Sequence, residues 1–190
     1  MELNYFLEGW KHIISIDAID HLLFILALAA LYTLKDWKQV LILVTAFTVG
    51  HSITLALSTL EIISLNTDLV EFLIPCTIVI TAISNLFQKE LNPKTVYTNY
   101  FLALFFGLIH GLGFANTLRF IKASDERLGW VLLKFNIGLE SGQIVVVIAI
   151  LLVAQFFIHY LRINRRYWLF AISGVALIAS LKMAIERFPY

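Results

Sequence analysis

Six hydrophobic segments, at about 20–34, 38–60, 69–87, 98–121, 130–160 and 167–185, occupy most of this 190-residue chain. A helix needs roughly 20 predominantly apolar residues to cross a bilayer, and five of the six reach or approach that length. One stretch, IVVVIAILLVA at 144–154, carries no polar side chain at all. In lipid every backbone amide must be satisfied within the protein, which leaves helices or a closed barrel as the only spanning structures. The period-two alternation of barrel strands is absent. The chain is therefore expected to be all-α, a polytopic membrane helix bundle. Its composition agrees, with 60% hydrophobic and 14% charged residues, against about half and about a quarter in a soluble domain.

Residues 1–18 read differently. Leu3, Phe6, Leu7, Trp10, Ile13 and Ile14 fall at helical spacing, with Tyr5, Glu8, Lys11, His12 and Ser15 between them. That is the pattern of an amphipathic helix at the membrane interface. The segment opens acidic, with Glu2 and Glu8, and lacks the basic region and cleavage site of a secretory leader, so it is expected to belong to the working protein. The connectors are short, and the organisation expected is one integral-membrane domain over 1–190, with about six transmembrane helices plus an N-terminal interfacial helix. The loops at 35–38, 88–95 and 162–166 hold seven Lys or Arg residues and the opposite side six. The compact RINRR cluster and the absence of basic residues at 61–68 favour both termini facing outward. A net charge of +1 without any basic block argues against nucleic-acid binding. A single cysteine, Cys76, excludes an intramolecular disulfide and a cysteine-rich metal site.

Ionisable groups inside spans are costly and mark function by default. Asp17, Asp20 and His21 open the first span at i, i+3, i+4, and on a continuous helix they share a face. They could bind a cation, or an aspartate could orient His21 through its second ring nitrogen. Helix capping explains one aspartate, but not two with an imidazole. His51 lies near the middle of the second span among Thr45, Thr48, Ser52 and Thr54. Glu71 stands at the threshold of the third span, where Pro75 frees a backbone carbonyl and Thr77, Thr81 and Ser84 or Asn85 form a polar stripe. His110 sits among Gly107, Gly111 and Gly113, the first two at the small-xxx-small spacing of close helix packing. In the fifth span Asn136, Glu140 and Gln143 share a face beside Gly138 and Gly142, with Lys134 as a candidate charge partner for Glu140.

Imidazoles and carboxylates with few cations suit borderline divalent transition metals such as nickel, cobalt, zinc or iron. HExxH, G-x-S-x-G, Walker A and dinucleotide motifs are all absent. The ligand set expected is His12, Asp17, Asp20, His21, His51, His110 and Glu140, supported by Asn136, Gln143, Thr48 and Glu71, with no catalytic residue assigned. Three readings compete. A secondary permease would pass the ion along this set. An intramembrane zinc hydrolase would hold zinc on three histidines and use a carboxylate as base against a lipid or membrane peptide. An accessory subunit would use the polar groups only to fix helix packing.

The blocks GWKHIISIDAIDHLLFILAL, FTVGHSITLALS, EFLIPCTIVITAISN, FGLIHGLGFAN and FNIGLESGQIVVV, in that order between residues 9 and 150, resemble the short, membrane-only branch of the HupE/UreJ family. The resemblance implies a nickel or cobalt permease rather than an enzyme, in a bacterial inner membrane. It places Asp20 and His21, preceded by His12, on the family's Asp-His pair, and His51 on its GHS block. His110 and Gly111 resemble its His-Gly block, and Asn136 and Glu140 its acidic helix. The partners implied are membrane lipids and the divalent metal ion as substrate. Homo-oligomerisation stays open.

Overall fold

The computed structural model describes residues 4–88, 93–121 and 128–189; the side chains of Asp17 and of residues 93, 94 and 115–121 also lie outside the described set. Seven helices account for nearly all of it: α1 Tyr5–Ile14, α2 Ile19–Ala29, α3 Trp37–Thr59, α4 Thr67–Phe87, α5 Pro93–Ile121, α6 Leu128–Gln155 and α7 Arg165–Glu186. A π-helical turn, Phe156–Tyr160, extends α6. No strand occurs among the described residues. Local chemistry sets several helix starts. Asn4, Asn66 and Asn164 cap α1, α4 and α7 by accepting amide N–H bonds at 3.3, 2.8 and 2.9 Å. Before α3, Asp36 accepts from both the amide and the hydroxyl of Thr33 at 3.0 and 2.8 Å. Side-chain oxygens thereby satisfy amides that have no partner inside the helix.

Helices α3 to α7 are each long and apolar enough to cross a membrane, whereas α1 and α2 qualify only together, as a pair bent by 67°. The expected first span at 20–34 proves to be 11 helical residues, only ~16 Å at 1.5 Å per residue against a hydrocarbon core of roughly 30 Å. Helix α1 supplies the missing length. Rather than standing apart as a surface helix, α1 buries Tyr5, Gly9 and Ile13 against α6. A Cβ at Gly9 would strike the Phe135 carbonyl, and one at Gly138 would strike the Phe6 carbonyl. Only glycine admits such backbone contact.

The same contacts fix direction. Phe6 meets Gly138, and Trp10 and Ile13 meet Gly142, so α1 runs parallel to α6. Helix α2 pairs its start with the end of α7 through Asp20 and Arg187, and its trailing Leu31 carbonyl with Arg165 at the start of α7. Helices α2 and α7 are therefore antiparallel, so α1 and α2 advance the same way. That is a broken span, since a re-entrant loop would reverse. Helices α3 and α5 run parallel, with Gly50 on Leu104, Gly107 on Phe47 and Gly111 on His51. The five long helices and the α1–α2 pair thus alternate in direction among the described residues, with the start of α1 and the end of α7 on one face.

Hydroxyls inside the spans are reconciled with lipid by bonding back to their own helix. Ser52 donates to the Thr48 carbonyl at 2.6 Å, Thr59 to Leu55 at 2.7 Å and Thr81 to Thr77 at 2.8 Å. Much of the core between the helices is apolar, with Phe24, Phe47, Leu43, Leu55, Ile78, Phe135 and Leu139 all essentially inaccessible.

Candidate metal centre

The break between α1 and α2 sets the site. On a continuous helix His12 and His21 would lie ~13.5 Å apart along the axis and on opposite faces, nine residues at 1.5 Å and 100° each. Here their ring centroids are 4.6 Å apart. The chain leaves helical geometry at Ser15, makes a 3-10 turn over Ile16–Ala18 and restarts as α2, folding the two rings onto each other. The glycine seam of α3 and α5 delivers the other two histidines. Gly107 and Gly111 both rest on the His51 backbone, so α3 approaches α5 closely beside His110. His21 stands 6.0 Å from His51 and 4.9 Å from His110, centroid to centroid. His12 is 6.2 Å from His51.

Ligating nitrogens of His12, His21 and His51 all lie within 4.8 Å of one another. Around one ion at a metal–nitrogen distance of about 2.0–2.1 Å, they would need to be roughly 3–4 Å apart. The cluster is thus assembled and needs to contract by about an ångström. Nitrogen atoms left without any hydrogen bond include His12 Nε2, His21 Nε2, both of His51, and His110 Nδ1, all buried.

Neighbours set the tautomers. Asp20 Oδ1 lies 3.0 Å from His21 Nδ1 and accepts from the His21 amide at 2.8 Å. The Nδ1 proton is therefore directed at the carboxylate, and the Nε2 lone pair faces the cluster. The other Asp20 oxygen pairs with Arg187 Nη1 at 3.3 Å. Thr77 donates its single hydroxyl proton to the Ile74 carbonyl at 2.7 Å. It must then accept from His110 Nε2, 3.0 Å away, which leaves His110 Nδ1 as the lone-pair nitrogen. Phe114 lies over His12 at 4.2 Å and stacks on Phe135 at 4.9 Å, walling the cluster with hydrocarbon.

The cluster closes the inner end of a vestibule of about 540 Å³ lined by Glu8, Lys11, His12, Asp20, His21, Glu71, His110 and Arg187, among others. Lys11 is well exposed and Glu8 partly so at its rim, and they pair with each other at 3.5 Å. Glu71, Arg187 and α1 place the mouth on the face that carries the start of α1 and the end of α7.

Of the expected ligands, the structure brings His12, His21, His51 and His110 together, with Asp20 behind His21 and Glu71 exposed along the vestibule. Asp17 belongs to the 3-10 turn, and its side chain lies outside the described residues. The same-face arrangement of Asp17 with Asp20 and His21 presupposed a continuous helix, and α2 begins only at Ile19. Glu140 is placed elsewhere. It accepts from Thr45 at 2.7 Å on the outer seam of α3 and α6, one turn from Gln143, which accepts from the buried Thr48 at 2.7 Å. Asn136 Oδ1 has no partner, and no ion pair joins Lys134 to Glu140 among the described residues. Sequence reasoning missed Arg187 and Phe114. Arg187 reaches Asp20 across 167 positions, for which a lone C-terminal arginine gives no signal.

Fold and site together define an integral-membrane helical protein with a buried, water-facing histidine cluster. The chain belongs to the HupE/UreJ family, whose model, described as HupE / UreJ protein, matches residues 1–187. That family is associated with nickel and cobalt transport. No curated protein and no solved structure matches the chain significantly.

Proposed function

We propose that this protein is a secondary permease for a divalent transition-metal ion, nickel or cobalt, in a bacterial inner membrane. One observation carries the reading: buried imidazole nitrogens without hydrogen bonds come from four histidines on α1, α2, α3 and α5, of which His12, His21 and His110 line the vestibule and His51 lies behind them within reach of His12 and His21. Each unsatisfied buried polar atom costs about 1–3 kcal/mol, and a purely structural histidine would have found a partner. An ion that accepts these lone pairs offsets the cost. Neutral imidazoles favour borderline metals over magnesium or calcium.

A zinc hydrolase would need a carboxylate free to act as base beside the cluster. Both oxygens of Asp20 are engaged and Glu140 is committed to the α3–α6 seam, which leaves Glu71, on the vestibule wall, as the carboxylate open to that role. The family's association with nickel and cobalt transport favours the permease. The test is uptake of radiolabelled nickel and cobalt by cells expressing wild type or His21→Ala at matched membrane levels. At least a tenfold loss in the variant is expected, and equal uptake would refute the proposal.

A further inference from the structure

Beyond the histidines the way forward is shut by aromatic rings. Phe24 and Phe47 lie 4.9 Å apart and each within 5.2 Å of His110, and Phe106 stands 6.1 Å from Phe24. One helical turn further from the vestibule the chemistry turns polar again. Thr81, Ser84, Asn85 and Asn99, with Leu28 and Leu102, surround a void of about 10 Å³ between α2, α4 and α5, close to the ~10–15 Å³ that holds one water. The register of the three helices places this void in line with the site: 21, 24, 28 on α2, 77, 81, 85 on α4, and 110, 106, 102, 99 on α5 advance together.

Two features suit this compartment to a cation. It lies beside the C-terminal end of the broken helix α2, where carbonyls point out of the helix and the dipole is negative. Broken helices in transporters use such ends to coordinate cations. Asn85 Nδ2 already donates to one of these carbonyls, Ala27, at 2.7 Å. Toward the opposite face, Asn99 Nδ2 continues the polar line to the Tyr32 hydroxyl at 3.1 Å. Asn85, Asn99 and Thr81 are all nearly inaccessible, and together they line one small void.

We infer that the compartment bounded by Thr81, Asn85 and Asn99 is the second, exit-side station of the metal ion, separated from the histidine cluster by the Phe24–Phe47–Phe106 barrier. This rests on the permease reading. A largely dehydrated ion would leave the imidazoles when Phe24 swings aside, since the compartment has room for about one water. It would then meet hydroxyl, amide and α2 carbonyl oxygens, weaker ligands for such a metal than nitrogen, and so pass on rather than stay.

The test uses the full chain in liposomes containing a metal-sensitive dye, with nickel and cobalt uptake measured beside calorimetric binding in detergent. Thr81→Val keeps the side chain's shape and removes the hydroxyl, and Leu28→Trp fills the void. The expected result is binding within twofold of wild type for both, with uptake at least threefold slower for Thr81→Val and at least tenfold slower for Leu28→Trp. If Leu28→Trp loses binding, its fold has failed and Thr81→Val decides. Uptake by Thr81→Val within twofold of wild type would overturn the inference. So would a loss of uptake at unchanged binding confined to Gln143→Leu, which would route the ion along α3 and α6. Wild type that binds the metal but never moves it would refute the permease reading instead.

Discussion

Asp20→Asn isolates what the carboxylate does for His21 without changing its shape. In the native arrangement Oδ1 faces the His21 ring at 3.0 Å and Oδ2 faces Arg187 at 3.3 Å. Hydrogen bonds to a charged group are worth about 1.5–3 kcal/mol and neutral ones about 0.5–1.5. The asparagine oxygen can still accept from His21, so the loss at the ring is ~1–1.5 kcal/mol. The remaining effect is electrostatic. Arg187 loses its counter-charge and stays in the vestibule as an uncompensated positive group beside the arriving ion. Together the two effects predict metal affinity weakened by about 10–100-fold, the usual cost of losing a carboxylate behind a ligating histidine. Nickel and cobalt titrations by calorimetry, in low salt and at fixed pH, measure it directly. Adding Arg187→Gln to Asp20→Asn then removes the stranded charge and should recover part of the loss, a coupling that a double-mutant cycle reads as non-additivity. Affinity of Asp20→Asn within threefold of wild type would refute this account of the site.

Gly111→Ala should lower thermal stability and abolish metal binding together, because its methyl would strike the His51 carbonyl and the Thr54 hydroxyl and force α3 from α5. Gly174→Ala, where a methyl meets nothing within 4 Å, should leave both unchanged in the same melting and titration experiments. Glu140→Gln should bind nickel within twofold of wild type, since its carboxylate is held by Thr45 on the α3–α6 seam; a tenfold loss by calorimetry would return Glu140 to the ligand set.

The parts of this protein legible in its sequence are those governed by short spacing on one helix. Apolar runs announced the spans, and Gly107 with Gly111 announced a backbone contact that the structure places against Phe47 and His51. What stayed hidden depends on the helix failing. No residue between His12 and His21 is a proline or glycine, so nothing in SIDAI demanded a break. Continuous helical spacing would have turned the two imidazoles away from each other. The break follows instead from competing anchors. Gly9 and Gly138 bind α1 to α6 in one direction, while Asp20 and the Leu31 carbonyl hold α2 along α7 at Arg187 and Arg165. The 67° between these two lines falls on the segment between them. A chain that satisfies both anchors must unwind there, and unwinding is what brings His12 against His21. The same bend separates Asp17 from the helical face of Asp20. The two aspartates that look equivalent in DAIDH are therefore not equivalent: Asp20, inside α2, is fixed as the group behind His21, and Asp17 belongs to the hinge that makes the site.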